Sequence, residues 1–160
     1  MIKELNGTSG SVSDNRFAIV VSKYHIGVTQ KLLDGAIQTL TRNLVPTSQI
    51  NVMWVPGAWE IPGAVQRSLE IGKYDAILTL GCVIRGETTH DQHINTTVSD
   101  GLGQLSLTYK IPVAFGVLTC NTMDQAIQRS GGSVGNKGVE TAEAAIHMLL
   151  LFKEMSQLGD

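Results

Sequence analysis

Two kinds of segment alternate along this chain: short unbroken apolar runs, and longer stretches whose apolar positions recur three and four residues apart. Phe17–Ser22 (FAIVVS) is a run of the first kind, rich in β-branched residues as a strand buried on both faces should be. Residues 28–43 are of the second kind, with Leu32, Leu33, Ala36, Ile37 and Leu40 on one helical face, and Pro46 is expected to end the helix. Ile50–Val55 reads as a second strand. Pro56-Gly57 then punctuates, and 61–72 reads as a short helix with Pro62 in its first turn, where proline is tolerated. The strongest strand signal is 75–84 (DAILTLGCVI), and the polar loop 85–90 leads from it into a helix over about 91–109. Residues 113–119 give a fourth strand and 123–130 a short helix. A glycine-rich turn, 131–138, precedes a last helix over about 139–155.

Strand followed by helix, four times over and with connections too long for hairpins, predicts an α/β fold. Its four-stranded parallel sheet carries helices on both faces, a three-layer α/β/α arrangement. Ligands of such sheets bind beyond the C-terminal ends of the strands. The candidate positions are therefore 23–25, 56–60, 85–90 and 120–122. The chain has 160 residues, enough for one domain with a proper core, and no repeat or linker divides it. Residues 17–160 are expected to form that domain. Residues 1–16, polar and rich in Gly and Ser, are expected to form a flexible arm, free or laid on a neighbour. They lack the apolar centre of a signal peptide and the Arg-rich character of a transit peptide.

Composition narrows the partners. Apolar residues make up 42% and charged residues 16%, a globular balance whose low charge points to a surface partly covered by other copies of the chain. The net charge of −2 and the lack of a basic run argue against duplex DNA or RNA. No apolar stretch approaches the roughly 20 residues of a membrane span. The two cysteines, Cys82 and Cys120, both lie in apolar runs, which suits a reducing cytoplasm rather than a disulfide framework.

Several candidate positions carry chemistry. Gly86-Glu87-Thr88-Thr89-His90 joins a strand to a helix start, where backbone N–H groups, hydroxyls and the helix dipole make an anion site. The plainer alternative is a helix cap in which Thr88 or Thr89 satisfies the first turn. His90 stands where a general acid/base would be needed, although a lone histidine is often only structural. His93 follows one turn later, but no closed ligand set forms and no metal is expected. Glu60 could accept hydrogen bonds from a polyol or amine, or merely complement a helix N-terminus. Tyr24 offers a ring for stacking on a heterocycle, or is an ordinary half-buried tyrosine. Arg129 and Lys137 flank the glycine-rich turn and could supply cations to phosphate. That turn is no P-loop, because Gly138 follows Lys137 and a helix precedes the turn. Cys82 is read as packing rather than as a nucleophile. The mid-helix glycines Gly101 and Gly103 suggest close helix–helix approach, possible across a subunit interface, or a local irregularity.

Three stretches, VPGAWEIP at 55–62, GCVIRGETTH at 81–90 and QAIQRSGGSVGNKG at 125–138, occur in an order and spacing that resemble the lumazine synthase family, and the likeness runs from about Phe17 to about Phe152. The resemblance implies a flavodoxin-like fold and a reaction without redox cofactor or metal. A ribityl-substituted aminopyrimidinedione would condense with 3,4-dihydroxy-2-butanone 4-phosphate to give 6,7-dimethyl-8-ribityllumazine. By the same resemblance, His90 is the proton shuttle, and Gly86, Glu87, Thr88 and Arg129 bind the phosphate. Tyr24 stacks on the pyrimidine ring. Ala58, Trp59 and Glu60 hold ring and ribityl chain, Val83 and Ile84 line the ring pocket, and Phe115, Lys137 and Arg129 come from the neighbouring subunit of a pentamer. The short turn 131–138 resembles that of members forming shells of twelve pentamers.

The chain also departs from the family pattern. Tyr24 replaces the usual Phe or Trp, His25 stands where many members have Asn, and Asp91-Gln92 follows His90 where an aromatic residue and then an acid are common. Glu87 replaces a small residue and is expected to point away from the phosphate. Two other readings stay open on sequence alone. One is the related archaeal-type riboflavin synthase, which uses no phosphorylated substrate. The other is a non-catalytic flavin- or lumazine-binding or shell protein.

Overall fold

In the computed structural model, which describes residues 1–159, the chain runs β1 (Phe17–Ser22), α1 (Ile26–Arg42), β2 (Ile50–Val55), α2 (Ile61–Ile71), β3 (Ala76–Ile84), α3 (His90–Thr108), β4 (Val113–Cys120), α4 (Met123–Gln128), β5 (Ser130–Gly132), β6 (Gly135–Asn136) and α5 (Lys137–Ser156). Asp160, the last residue of the expected domain, lies outside the described residues. Strands β1 to β4 form one parallel sheet in the order β2-β1-β3-β4, and the helices make it a three-layer, flavodoxin-like α/β/α fold.

The apolar runs become strands because the sheet is roofed on both sides. Phe17, Ile19 and Val21 of β1 pack with Leu78 and Leu80 of β3 under α1 and α5. The alternate residues Ala18, Val20 and Ile77 pack under α2 and α3, against Ile61, Val65 and Val98. Leu or Ile buried in this way contributes about 1.5–3 kcal/mol each relative to exposure. Register is pinned at the start of the central pair: Arg16 N donates to Asp75 Oδ2 at 2.7 Å, and Asp75 N donates to Arg16 O at 2.8 Å.

Pro46 is not what ends α1. The helix stops at Arg42, four residues earlier, in a turn where Leu44 N donates to Thr41 O and Val45 N to Leu40 O. That pattern closes the helix with one left-handed residue, usually glycine; here it is Leu44, at φ 66°. Val45 is buried against the core and anchors the turn. The expected glycine-rich turn is a two-stranded antiparallel hairpin, β5–β6, and α5 begins at Lys137, inside the range assigned to the turn. Its residues pair across a narrow bend, which helical and strand periodicities do not register.

Asn136 caps α5: its Oδ1 accepts from Gly138 N at 2.8 Å and Val139 N at 3.3 Å. Its Nδ2 reaches across to Lys31 O of α1 at 3.0 Å. Gly138 lets the two helices meet, because a Cβ there would run into the backbone of Leu32. Gly101 has a similar reason within the chain, since a Cβ would lie 3.3 Å from Pro62 of α2, whereas one at Gly103 would meet nothing within 4 Å.

Residues of the N-terminal segment run along α5 of the same chain. Glu154 Oε2 accepts from Asn6 N and Gly7 N, Lys153 Nζ donates to Asn15 Oδ1 at 2.6 Å, and Val12 is buried. Among the described residues, no helix is long and apolar enough to cross a membrane.

Gly138→Ala is expected to cost about 2–3 kcal/mol, because the colliding atoms are backbone in mid-helix and cannot step aside. Thermal melts should show a loss of roughly 5–10 °C. An unchanged melting temperature would mean that α1 and α5 do not meet at this point.

Candidate active site

All four strands end at one edge of the sheet, and short backbone links hold their loops together. Lys23 N donates to Val55 O at 2.8 Å, Tyr24 N to Pro56 O at 3.1 Å, and Arg85 N to Cys120 O at 2.8 Å. The chain leaves β1 toward β2 on one side, while β3 lies on the other, so the strand order reverses between β1 and β3. Above that reversal lies a cavity of about 480 Å³, within the usual size of small-molecule sites.

Each wall traces to a strand end. Tyr24 and His25 follow β1, and Gly57, Ala58 and Trp59 follow β2. Cys82, Val83 and Ile84 close β3, Gly86 and Thr88 follow it, and His90, Asp91 and Ile94 come from the first turns of α3. Eight residues expected at the site therefore share one cavity: Tyr24, Ala58, Trp59, Val83, Ile84, Gly86, Thr88 and His90. Trp59 and Tyr24 are exposed, at 55% and 68%, which leaves ring faces free to receive a planar ligand.

The loop from Gly86 to His90 has little internal capping. Thr89 occupies the N-cap position without a side-chain hydrogen bond, and Thr88 Oγ1 accepts from His90 N only at a long 3.4 Å. Gln92 N turns back to Thr89 O at 3.1 Å, so in the first turn of this 19-residue helix the N–H groups of His90 and Asp91 are the ones an outside acceptor can take. His90, in the first turn beside them, is exposed and can exchange protons with a ligand or water.

Two expected residues flank the cavity without lining it. Glu60 is exposed, and its Oε2 accepts from Gly57 N at 2.9 Å, bracing the turn that carries Ala58 and Trp59. Glu87 is exposed beside Gly86 and Thr88. Three others lie elsewhere. Arg129 ends α4 and Lys137 begins α5; together with Cys120 and Glu140 they line a second cavity of about 350 Å³. Phe115, 45% exposed on the edge strand β4, faces a third with Leu102, Gly103 and Ser106. Arg129 Nη1 donates to Gln125 O at 3.2 Å, and Lys137 Nζ lies 3.0 Å from Glu140 Oε2. That exposed pair is worth little and leaves the ammonium available.

His25 and Asp91 stand in the cavity although sequence reasoning gave neither a role. Asp91 Oδ1 is buried without a hydrogen-bond partner in the chain, as are Ser22 Oγ, Thr29 Oγ1 and Asn95 Oδ1, a costly state that of these four only Asp91 brings to the cavity lining. Its signal was position alone, one residue past His90 on a helix whose inward face is marked by Ile94, Val98 and Leu102. Among the described residues no three of His, Cys, Asp and Glu gather as a metal site would need.

A parallel α/β sheet with an exposed histidine and a helix start lacking a side-chain cap beside a cavity at its switch point fits the class of small-molecule enzymes. The comparisons give the family. The family model for 6,7-dimethyl-8-ribityllumazine synthase matches residues 14–153. A protein of Rhodopirellula baltica named 6,7-dimethyl-8-ribityllumazine synthase is 45% identical over 151 residues, covering 94% of this chain and 97% of its own. One of the same name from Coxiella burnetii is 48% identical over 143 residues, 89% of this chain and 95% of its own. The chain belongs to the 6,7-dimethyl-8-ribityllumazine synthase family.

The cysteines are inert by environment. Burial pushes the Cys82 thiol up to about 12, with the neighbouring Cys120 adding to the shift. Burial also raises Cys120, while Arg129 works against it. A raised value means that the thiol stays protonated as pH climbs past 9, so the nucleophilic thiolate is scarce. At pH 8, a thiol reagent should leave Cys82 unmodified in the folded protein and label both cysteines after unfolding. Rapid labelling of Cys82 in the folded state would contradict this.

Proposed function

We propose that this chain condenses 5-amino-6-(D-ribitylamino)uracil with 3,4-dihydroxy-2-butanone 4-phosphate, giving 6,7-dimethyl-8-ribityllumazine, phosphate and water. The observation that carries the reading is the pairing of His90 with the uncapped start of α3 in one cavity. The ring amine attacks the ketone and water leaves to give a Schiff base, phosphate is eliminated, and the ribityl-bearing nitrogen closes the ring before a second water is lost. Holding two substrates together supplies much of the acceleration, and proton transfer supplies the rest.

In this reading the dione stacks on Tyr24, with Val83 and Ile84 beneath it and Ala58, Trp59 and Glu60 along the ribityl chain. Gly86, Glu87 and Thr88 receive the phosphate through backbone N–H groups, the Glu87 side chain directed away, and His90 moves the proton as phosphate departs. Arg129, Lys137 and Phe115 do not line the His90 cavity, so the reading takes them from an adjacent copy in a pentamer. The short β5–β6 hairpin favours twelve pentamers in a shell, to be checked by sedimentation: free pentamers would refute the shell and monomers the shared site. The chain works in the cytoplasm in this reading, without a cofactor.

The direct test mixes the purified protein with both substrates and follows lumazine absorbance and released phosphate. Equal appearance of the two, lost when either substrate is omitted, is expected. Folded protein that yields neither would sink the reading, and riboflavin formed from lumazine alone would point to the sister reaction.

His90→Ala should slow turnover by roughly 10- to 10⁴-fold with assembly intact; unchanged turnover would remove His90 from the mechanism. Arg129→Ala should raise KM for the butanone phosphate by roughly tenfold or more, the loss of a charge-assisted contact, and leave that for the pyrimidinedione nearly unchanged. Equal effects on both would contradict a phosphate role.

A further inference from the structure

His25 begins α1 in an unusual way. A residue at this position normally has extended backbone, and its side chain accepts from an N–H of the first turn. His25 does neither. Its backbone is left-handed, φ 58° and ψ 49°, and its side chain makes no capping bond. Only its carbonyl serves the helix, accepting from Val28 N at 2.9 Å and Thr29 N at 3.1 Å. A side chain forced into this backbone costs energy, and such outliers cluster where a site constrains them.

The constraint has a visible product. The imidazole stands edge-on to the Tyr24 ring, centroids 4.6 Å apart and planes at 68°. Both residues line the His90 cavity. Tyr24 is 68% exposed, so little else restrains the tilt of its ring, while its backbone is fixed through Tyr24 N to Pro56 O. We propose that His25 is a positioning residue: its edge-on contact sets the plane of the Tyr24 ring, and with it the plane on which the pyrimidinedione stacks. The inference rests on the functional reading above. A ring held in advance loses less freedom when the heterocycle arrives, and edge-to-face pairs of this kind have the strength to hold it.

Left-handed backbone supplies clean variants. His25→Gly accepts the same φ without strain and removes the ring. His25→Asn tolerates that φ and keeps a polar side chain, but offers no ring. Both variants should bind the pyrimidinedione about three- to tenfold more weakly by calorimetry, with a matching rise in its KM. The KM for the butanone phosphate and the melting temperature should stay as in the parent protein.

An unchanged affinity in His25→Gly would overturn the proposal. So would parallel loss of both substrates with a lower melting temperature, since that marks a general scaffold role. Full recovery in His25→Asn would overturn it as well, because a polar contact rather than the ring would then be responsible. If the parent protein binds the pyrimidinedione but forms no lumazine, the functional reading falls while the affinity comparison still judges His25. If it does not bind at all, both fall.

Discussion

A parallel sheet exposes no face to water, so every peptide group in β1 and β3 must find its partner in the adjacent strand and every side chain must fit a roof. Two layers of helix are then obligatory, and each crossover returns the chain to the same end of the sheet. The loops at the opposite end of each strand are left to gather without competing structure. Their backbone links, from Lys23 to Val55, Tyr24 to Pro56 and Arg85 to Cys120, continue the ladder past the last paired residues. The cavity is therefore a by-product of covering the sheet, and the strands fix where its walls begin.

The division of roles follows from this geometry. Apolar walls come from strand ends, where Cys82, Val83 and Ile84 have no freedom to move. Polar and titratable groups come from the loops and first turns above, where Thr88, His90 and Asp91 can meet a ligand. The cations are kept apart, on α4 and α5, and neither is tied down by a strong internal pair. The start of α3 thus turns its N–H dipoles toward one cavity, while Arg129 and Lys137 line another.

The sheet was legible in the sequence because a doubly buried strand writes a continuous apolar run. Phe17–Ser22 and Ile50–Val55 match residue for residue, and 75–84 differs from the observed strand only by Asp75, which pairs with Arg16 instead. Helix ends were less legible. Leu44 carries a left-handed conformation that glycine usually signals, so only Pro46 was visible as a stop. The hairpin at 130–136 was hidden because three- and two-residue strands have no periodicity to read. The arrangement of 1–16 depends on Glu154 and Lys153, nearly the whole chain away. At the site, the motif residues around His90 and Ala58 stood out by position at strand ends. His25 was visible only as a strand-end position and a departure from the family pattern, and Asp91 only as a departure, since the backbone angle of one and the unpartnered oxygen of the other leave no mark on composition or spacing.

The β5–β6 hairpin is tied at its base and again at its bend. Asn136 and Gly138 are locked against α1, and at the exposed bend Ser133 N and Oγ donate to Gln128 Oε1 at 2.9 and 2.8 Å while Val134 N donates to Gln128 O at 3.0 Å. For protein engineering this makes an exposed bend a poor graft point: a foreign peptide spliced between 133 and 134 would break the bonds that hold the turn to α4, beside the cavity of Arg129 and Lys137. Exposure alone does not tell a library designer where diversity is cheap.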